Sequence, residues 1–93
     1  MEKFKKGEWR TTRKIANACD KDPVFNKEVL QSIVRYANKD WGEMSESDKQ
    51  ANDNAIKDED SRIFAAYETK KGKIYIITEW DRSYTTIMFA NEY

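Results

Sequence analysis

The spacing of apolar residues changes along this 93-residue chain, and that change restricts the fold more than any other feature. Between residues 24 and 37 apolar side chains recur at steps of three and four, which indicates an amphipathic helix. In the last third the period falls to two, and β-branched and aromatic residues predominate, as is typical of strands. Helices first and strands second predict an α+β fold rather than an alternating α/β fold. We expect two to three N-terminal helices packed on a C-terminal three-stranded antiparallel β-meander.

Helix starts are marked by polar residues that cap a free backbone N–H. Asp22 followed by Pro23 predicts a helix that runs to about Asn38. Its periodic apolar residues are Val24, Phe25, Val29, Leu30, Ile33, Val34 and Ala37. A shorter helix over residues 12–19 is capped by Thr11 or Thr12, and a third helix, mostly polar, follows Ser45 to about Lys57. We expect one domain over residues 1–93, with its helical part at about 11–58 and its β-meander at about 62–90.

Three strands are predicted over residues 62–68, 73–80 and 84–89. Glycine at 72 and the sequence Asp-Arg-Ser at 81–83 mark the two tight turns between them. One face of the sheet then packs on the helices, and the other is at least partly wet. If the strand Tyr84–Phe89 lies at an edge, its unpaired backbone offers a route to a homodimer.

Composition excludes several kinds of site. The chain has no histidine, which removes Ser-His-Asp and Cys-His catalysis and any histidine-containing zinc site. Cys19 is the single cysteine, so we expect no intramolecular disulfide and a small, buried side chain in a reducing compartment. No apolar run has the length of a membrane span. We therefore expect a cytoplasmic protein without cofactor, metal or membrane contact.

The net charge of zero hides an uneven distribution. Residues 1–14 carry a net +4, residues 15–39 +1, residues 40–60 −6 and residues 61–93 +1. The acids of residues 40–60 are Asp40, Glu43, Glu46, Asp48, Asp53, Asp58, Glu59 and Asp60. An exposed acidic face of this density attracts a basic partner and speeds association. The pattern also fits a solvated helix surface that keeps a small protein soluble.

Several short motifs resemble those of one protein family. They are the stretch over residues 73–86, which reads Ile-Ile-Thr-Glu-x-Asp-Arg-Ser-x-Thr-Thr from Ile76, the ending Asn91-Glu92-Tyr93, and the motifs at residues 40–42 and 48–53. Small proteins of similar length, encoded on phages, plasmids and conjugative elements of Gram-positive bacteria, carry this pattern. The family has no agreed enzymatic activity. The resemblance therefore implies an accessory protein of a mobile genetic element.

The resemblance and the acidic residues together predict an inhibitor. Small, cofactor-free proteins of mobile elements often occlude host machines, including CRISPR–Cas and restriction nucleases. We expect the acids of residues 40–60 to occupy a basic groove that normally holds nucleic-acid phosphate. Trp80, Arg82 and Tyr84 would form a second contact patch, since these residue types are enriched at interface hot spots. Alternatively, Trp80 and Tyr84 pack in the core and Arg82 pairs with Asp81 or Glu79.

Two other functions fit parts of the sequence. The basic N-terminal segment, with Phe4 and Trp9, could bind nucleic acid together with Lys70, Lys71 and Lys73. No recognised motif supports this function. Direct contact with nucleic acid is therefore not our first expectation. Asp60 with Glu68 and Lys70 imitates the layout of metal-dependent nucleases. That spacing is common by chance in a chain with 37% charged residues. The sequence Asp81-Arg82-Ser83 is better explained by an Asx turn than by a catalytic trio.

Overall fold

The computed structural model describes residues 3–93, which form an α+β fold. In chain order the elements are β1 (Glu8–Thr11), α1 (Arg13–Lys21), α2 (Pro23–Ala37), α3 (Glu46–Asp58), β2 (Ile63–Thr69), β3 (Gly72–Thr78), β4 (Tyr84–Phe89) and a 3₁₀ turn (Ala90–Glu92).

All three predicted helix caps are confirmed. The Thr12 hydroxyl accepts the N–H of the third residue of α1, and the Ser45 hydroxyl does the same for α3. The Asp22 carboxylate accepts the N–H groups of Val24 and Phe25 at 3.0 and 3.2 Å, with Pro23 at the first helical position. Local side-chain chemistry therefore fixes where each helix begins.

The four strands form one mixed sheet in the order β1-β4-β3-β2. β2, β3 and β4 make the predicted antiparallel meander, but β1 adds a fourth strand that runs parallel to β4. The predicted three-stranded sheet is therefore wrong by one strand. Because β4 lies between β1 and β3, the strand Tyr84–Phe89 is not an edge, and the predicted homodimer through it has no free backbone to use.

The β2 edge of the sheet is covered by the chain itself. Glu43 donates its N–H to the Ala66 carbonyl at 2.7 Å, and the Ala66 N–H reaches the Trp41 carbonyl at 3.3 Å. The Asn52 side chain, on α3, accepts the Phe64 N–H at 3.1 Å and donates to the Phe64 carbonyl at 2.9 Å. These bonds hold α3 beside β2, and the side of α3 that faces away from β2 is open to solvent.

One face of the sheet packs against the helices and forms the core, as predicted. The core is built from the following buried side chains: Phe4, Ile15, Phe25, Val29, Tyr36, Trp41, Ala55, Ile63, Ala65, Tyr67, Ile74, Ile76 and Ile87. Three apolar residues of α2 do not join it: Val24, Leu30 and Val34 are 57%, 54% and 60% exposed. The apolar stripe predicted for α2 is therefore wider than the surface that the sheet covers.

A chain of buried hydroxyl groups ties the N-terminal segment to the sheet. Thr85 donates to the Lys6 carbonyl at 2.5 Å, Thr78 lies 2.7 Å from Thr85, and Tyr36 lies 2.7 Å from Thr78. Because each hydroxyl has one proton and Thr85 donates its own to the Lys6 carbonyl, Thr78 must donate to Thr85 and Tyr36 must donate to Thr78. Burial raises the pKa of Tyr36, so its phenol stays a donor. These hydroxyl contacts and the 7% exposed Phe4 ring tie the N-terminal segment to the core through Phe4 and Lys6, whereas Lys5 between them is exposed.

Candidate partner-binding surface

Two of the eight predicted acids are used inside the fold. Asp40 accepts two hydrogen bonds from the Arg35 guanidinium, at 2.8 and 3.1 Å, and this contact holds the pKa of Asp40 below its usual range. Asp53 accepts the indole N–H of Trp41 at 3.1 Å, while the Trp41 ring itself is buried. Asp40 and Asp53 therefore hold the turn before α3 and orient the helix.

The other six acids lie exposed near the two ends of α3. Glu43, Glu46 and Asp48 lie at its start, where carboxylates favour the positive end of the helix dipole. The remaining three, residues 58–60, follow one another at its end. A helix of 13 residues sets the two groups about 18 Å apart.

The carboxylates of residues 58–60 lie at the end of α3 where the helix dipole disfavours negative charge. The C-terminal end of a helix carries partial negative charge, so three carboxylates there are unfavourable. Within residues 3–93 none of the three forms an ion pair, whereas Glu46 at the other end lies 3.7 Å from Lys49. The one side-chain contact of residues 58–60 among the described hydrogen bonds is local: the Ser61 hydroxyl donates to the Asp60 carboxylate at 3.2 Å.

Trp80 projects from the β3–β4 hairpin beside the same end of α3. Its side chain is 63% exposed, compared with 3% for Trp41, so the alternative that Trp80 packs in the core is wrong. Trp80, Glu59, Lys5, Asp81 and Arg82 line a shallow groove of about 380 Å³. An exposed indole next to free carboxylates is the main feature of this surface.

Arg82 fixes this arrangement through contacts within the chain. Its guanidinium donates to four backbone carbonyls, those of Ala55 (2.8 Å), Ser61 (2.7 Å), Trp80 (3.0 Å) and Glu79 (3.2 Å). The predicted pairing with an Asp81 or Glu79 carboxylate is therefore replaced by carbonyl contacts. Because these carbonyls come from α3, from the chain after it and from the hairpin, Arg82 sets the position of Trp80 relative to residues 58–60.

The turn itself has the predicted Asx geometry. The Asp81 carboxylate accepts the N–H and the hydroxyl of Ser83, at 3.0 and 2.6 Å, and the hydroxyl contact is the main reason that its pKa is lowered. Arg82 has a φ of +61°, in the left-handed region. Asp81 and Ser83 are thus turn residues, and the hairpin presents Trp80 from a well-defined backbone.

Tyr84 is not among the residues that line the groove beside Trp80. It begins β4, is half-buried, and its ring is covered by the Arg10 guanidinium, whose central carbon is 4.1 Å from the ring centroid. Of the three residues of the predicted contact patch, only Trp80 is therefore both exposed and without a role in the fold.

The surface is less polarised than the sequence predicts. Lys5, from the basic N-terminal segment, lies in the groove with Glu59. Lys6 is buried and donates to the Phe4 carbonyl at 2.7 Å, and the Phe4 ring lies in the core, where it cannot stack on a base. The predicted nucleic-acid site on this segment thus loses Phe4 and one of its cations to folding, while Trp9 stays 38% exposed.

The hairpin lysines pair with an acid of the fold, and the residues of the nuclease-like layout lie far apart. Lys70 and Lys71 lie 2.9 and 3.7 Å from the Asp22 carboxylate. Asp60 precedes β2 and Glu68 is near its far end, so at about 3.4 Å per residue the two lie more than about 17 Å apart. Within residues 3–93 no group of three or more acidic or cysteine side chains could hold a metal ion.

The remaining predictions concern Cys19 and the membrane. Cys19 is half-buried against the core, and burial raises the pKa of its thiol. None of the helices in the described part of the chain has the length and hydropathy that a membrane span requires.

Comparisons with protein-family models, curated proteins and solved structures find no match to this chain. The resemblance to mobile-element proteins stays a prediction.

Proposed function

We propose that this chain is a non-catalytic accessory protein of a mobile genetic element that binds and inhibits a host defence nuclease of the CRISPR–Cas or restriction type. Contact is between proteins: the exposed acids of α3 enter a basic groove that otherwise holds nucleic-acid phosphate. The observation that supports this most is the free acidic cluster at residues 58–60 beside the exposed Trp80. Within residues 3–93 the three carboxylates form no ion pair and Trp80 is 63% exposed, and both features are typical of an interface.

The arrangement fits a groove because it combines two kinds of contact. Carboxylates at both ends of α3 supply charge over about 18 Å, and this charge steers a basic partner. Trp80 supplies a large apolar surface, which the hairpin holds beside the charge. An indole can also stack on the guanidinium or ammonium groups that line such a groove.

Removing charge from residues 58–60 should weaken binding without harming the fold. We expect the double variant Glu59→Gln/Asp60→Asn to bind a reconstituted target nuclease at least about tenfold more weakly, because two interface charges are lost. Its free energy of unfolding should be unchanged or slightly higher, since the helix dipole opposes these carboxylates. The measurement is a pull-down with a panel of reconstituted nucleases, followed by titration at two salt concentrations.

The matched control changes the same charge elsewhere. Asp20 on α1 and Glu68 on β2 are exposed and form no ion pair within residues 3–93. Asp20→Asn/Glu68→Gln should bind like the parent protein. Equal losses for both double variants would mean that only total charge matters, and retention of none of the nucleases would end the proposal.

A further inference from the structure

The sheet face opposite the helices carries a group of aromatic rings. Phe64 on β2 and Tyr75 on β3 have ring centroids 4.7 Å apart, and Tyr93 meets them edge-on at 5.3 and 5.8 Å. Tyr93 is 62% exposed and the other two rings are partly exposed. The buried Ile77 lies under them without belonging to the main core. This is an aromatic surface that the helices leave open.

Cations lie around these rings. The Arg62 guanidinium carbon is 5.6 and 5.4 Å from the ring centroids of Phe64 and Tyr93, and it forms no ion pair within residues 3–93. Arg10 lies over Tyr84 at the β1 edge, where Glu8 contacts it at 3.2 Å. Three strand spacings, about 14 Å, separate the backbones of β1 and β2 across the sheet, so the two guanidinium groups lie toward opposite edges of this face.

A third cation, Lys73, lies on the same face of β3 as Tyr75. It is exposed and stands opposite Glu68 without forming an ion pair with it. Arg62, Arg10 and Lys73 are thus cations of the open face, which also carries Glu8 and Glu68, whereas the exposed acids of α3 lie beyond the β2 edge. Rings flanked by cations are complementary to a ligand that alternates flat bases with negative charges.

We propose that single-stranded nucleic acid binds across this open sheet face. Bases stack on Tyr75 and Tyr93, and phosphates lie beside Arg62 and Arg10. The carboxylates of residues 58–60 repel the nucleic acid from the side of β2 that faces α3. This inference does not depend on the proposed function, because it uses a different face and none of the residues of the Trp80 surface.

Fluorescence anisotropy with labelled oligo-dT and oligo-rU, and with a matching duplex, tests the proposal. We expect both single strands to bind and the duplex to bind much more weakly. Tyr93→Ala should weaken single-strand binding about tenfold through lost stacking. Arg62→Gln should weaken it several-fold and reduce the salt slope by about 0.7.

Two controls separate this site from others. Lys27 on α2 is exposed and forms no ion pair within residues 3–93, so Lys27→Gln should leave the affinity unchanged. Trp80→Ala should also leave it unchanged, although it should abolish nuclease binding, so failure of one proposal is distinguishable from failure of the other. Absence of single-strand binding, or equal effects of Lys27→Gln and Arg62→Gln, would overturn the inference.

Discussion

Replacing Arg82 with alanine should lower the free energy of unfolding by about 3 kcal/mol, one of the two largest effects that we expect from a single substitution in this protein. Four carbonyls lose a charged donor, and the end of α3 loses its contact with the β3–β4 hairpin. Nuclease binding should fall as well, because Trp80 is no longer held beside residues 58–60. Urea unfolding followed by circular dichroism measures the first effect.

Three further variants identify the cause. Arg82→Lys keeps the charge, but one ammonium cannot reach all four carbonyls, so it should recover only part of the loss. Arg82→Gly should be about 1 kcal/mol more stable than Arg82→Ala, because glycine tolerates the φ of +61°. Arg13→Ala, which removes an exposed arginine from the first turn of α1, should be close to neutral. A loss below about 1 kcal/mol for Arg82→Ala would show that the carbonyl contacts are weak.

Gly42→Ala should destabilise the protein by at least about 4 kcal/mol, the second of the two large effects. The backbone at Gly42 has a φ of +74°, and a Cβ there would lie 2.1 Å from the Ala66 carbonyl oxygen and 2.7 Å from the Tyr67 ring. The chain must move away from β2, which breaks the backbone bonds that cover this edge. Urea unfolding, with tryptophan fluorescence reporting on Trp41, measures the loss.

Gly72→Ala is the matched control for this effect. Gly72 also has a positive φ, +106°, but a Cβ there meets no atom within 4 Å. Gly72→Ala should therefore lower the free energy of unfolding only by the conformational penalty of a positive φ, about 1–2 kcal/mol. Similar losses at both glycines would show that the left-handed backbone, and not the approach of residue 42 to β2, causes the effect.

Most of the fold could be predicted because its signals are local. Asp22 with Pro23 fixes the start of α2, and the alternation in residues 63–89 fixes three strands. β1 carries no such signal: its four side chains are all exposed, and it joins the sheet by backbone pairing with β4, more than 70 residues away. Because β1 pairs with β4, it also makes β4 an interior strand. The missing fourth strand and the wrongly expected edge position of β4 therefore have one cause.

The candidate surface was predictable only in its composition. The sequence identifies the acids and the aromatic turn, but it does not distinguish free side chains from those used in folding. Arg82 bonds to the carbonyl of Ala55, 27 residues earlier, and Asp53 bonds to the indole of Trp41, 12 residues earlier. Such long-range pairings leave no periodic pattern. Trp80 could have been recognised as exposed only once the hairpin was placed.

A displacement assay shows whether the surface formed by Trp80 and the exposed acids of α3 occupies the nucleic-acid groove of a nuclease. A reconstituted nuclease retained in the pull-down is loaded with a fluorescent duplex substrate, which the open sheet face is expected to bind only weakly, and the protein is titrated in. We expect stoichiometric release of the substrate by the parent protein and by Asp20→Asn/Glu68→Gln, with little release by Trp80→Ala. Binding of the protein without release of the substrate, or equal release by Trp80→Ala, would contradict it.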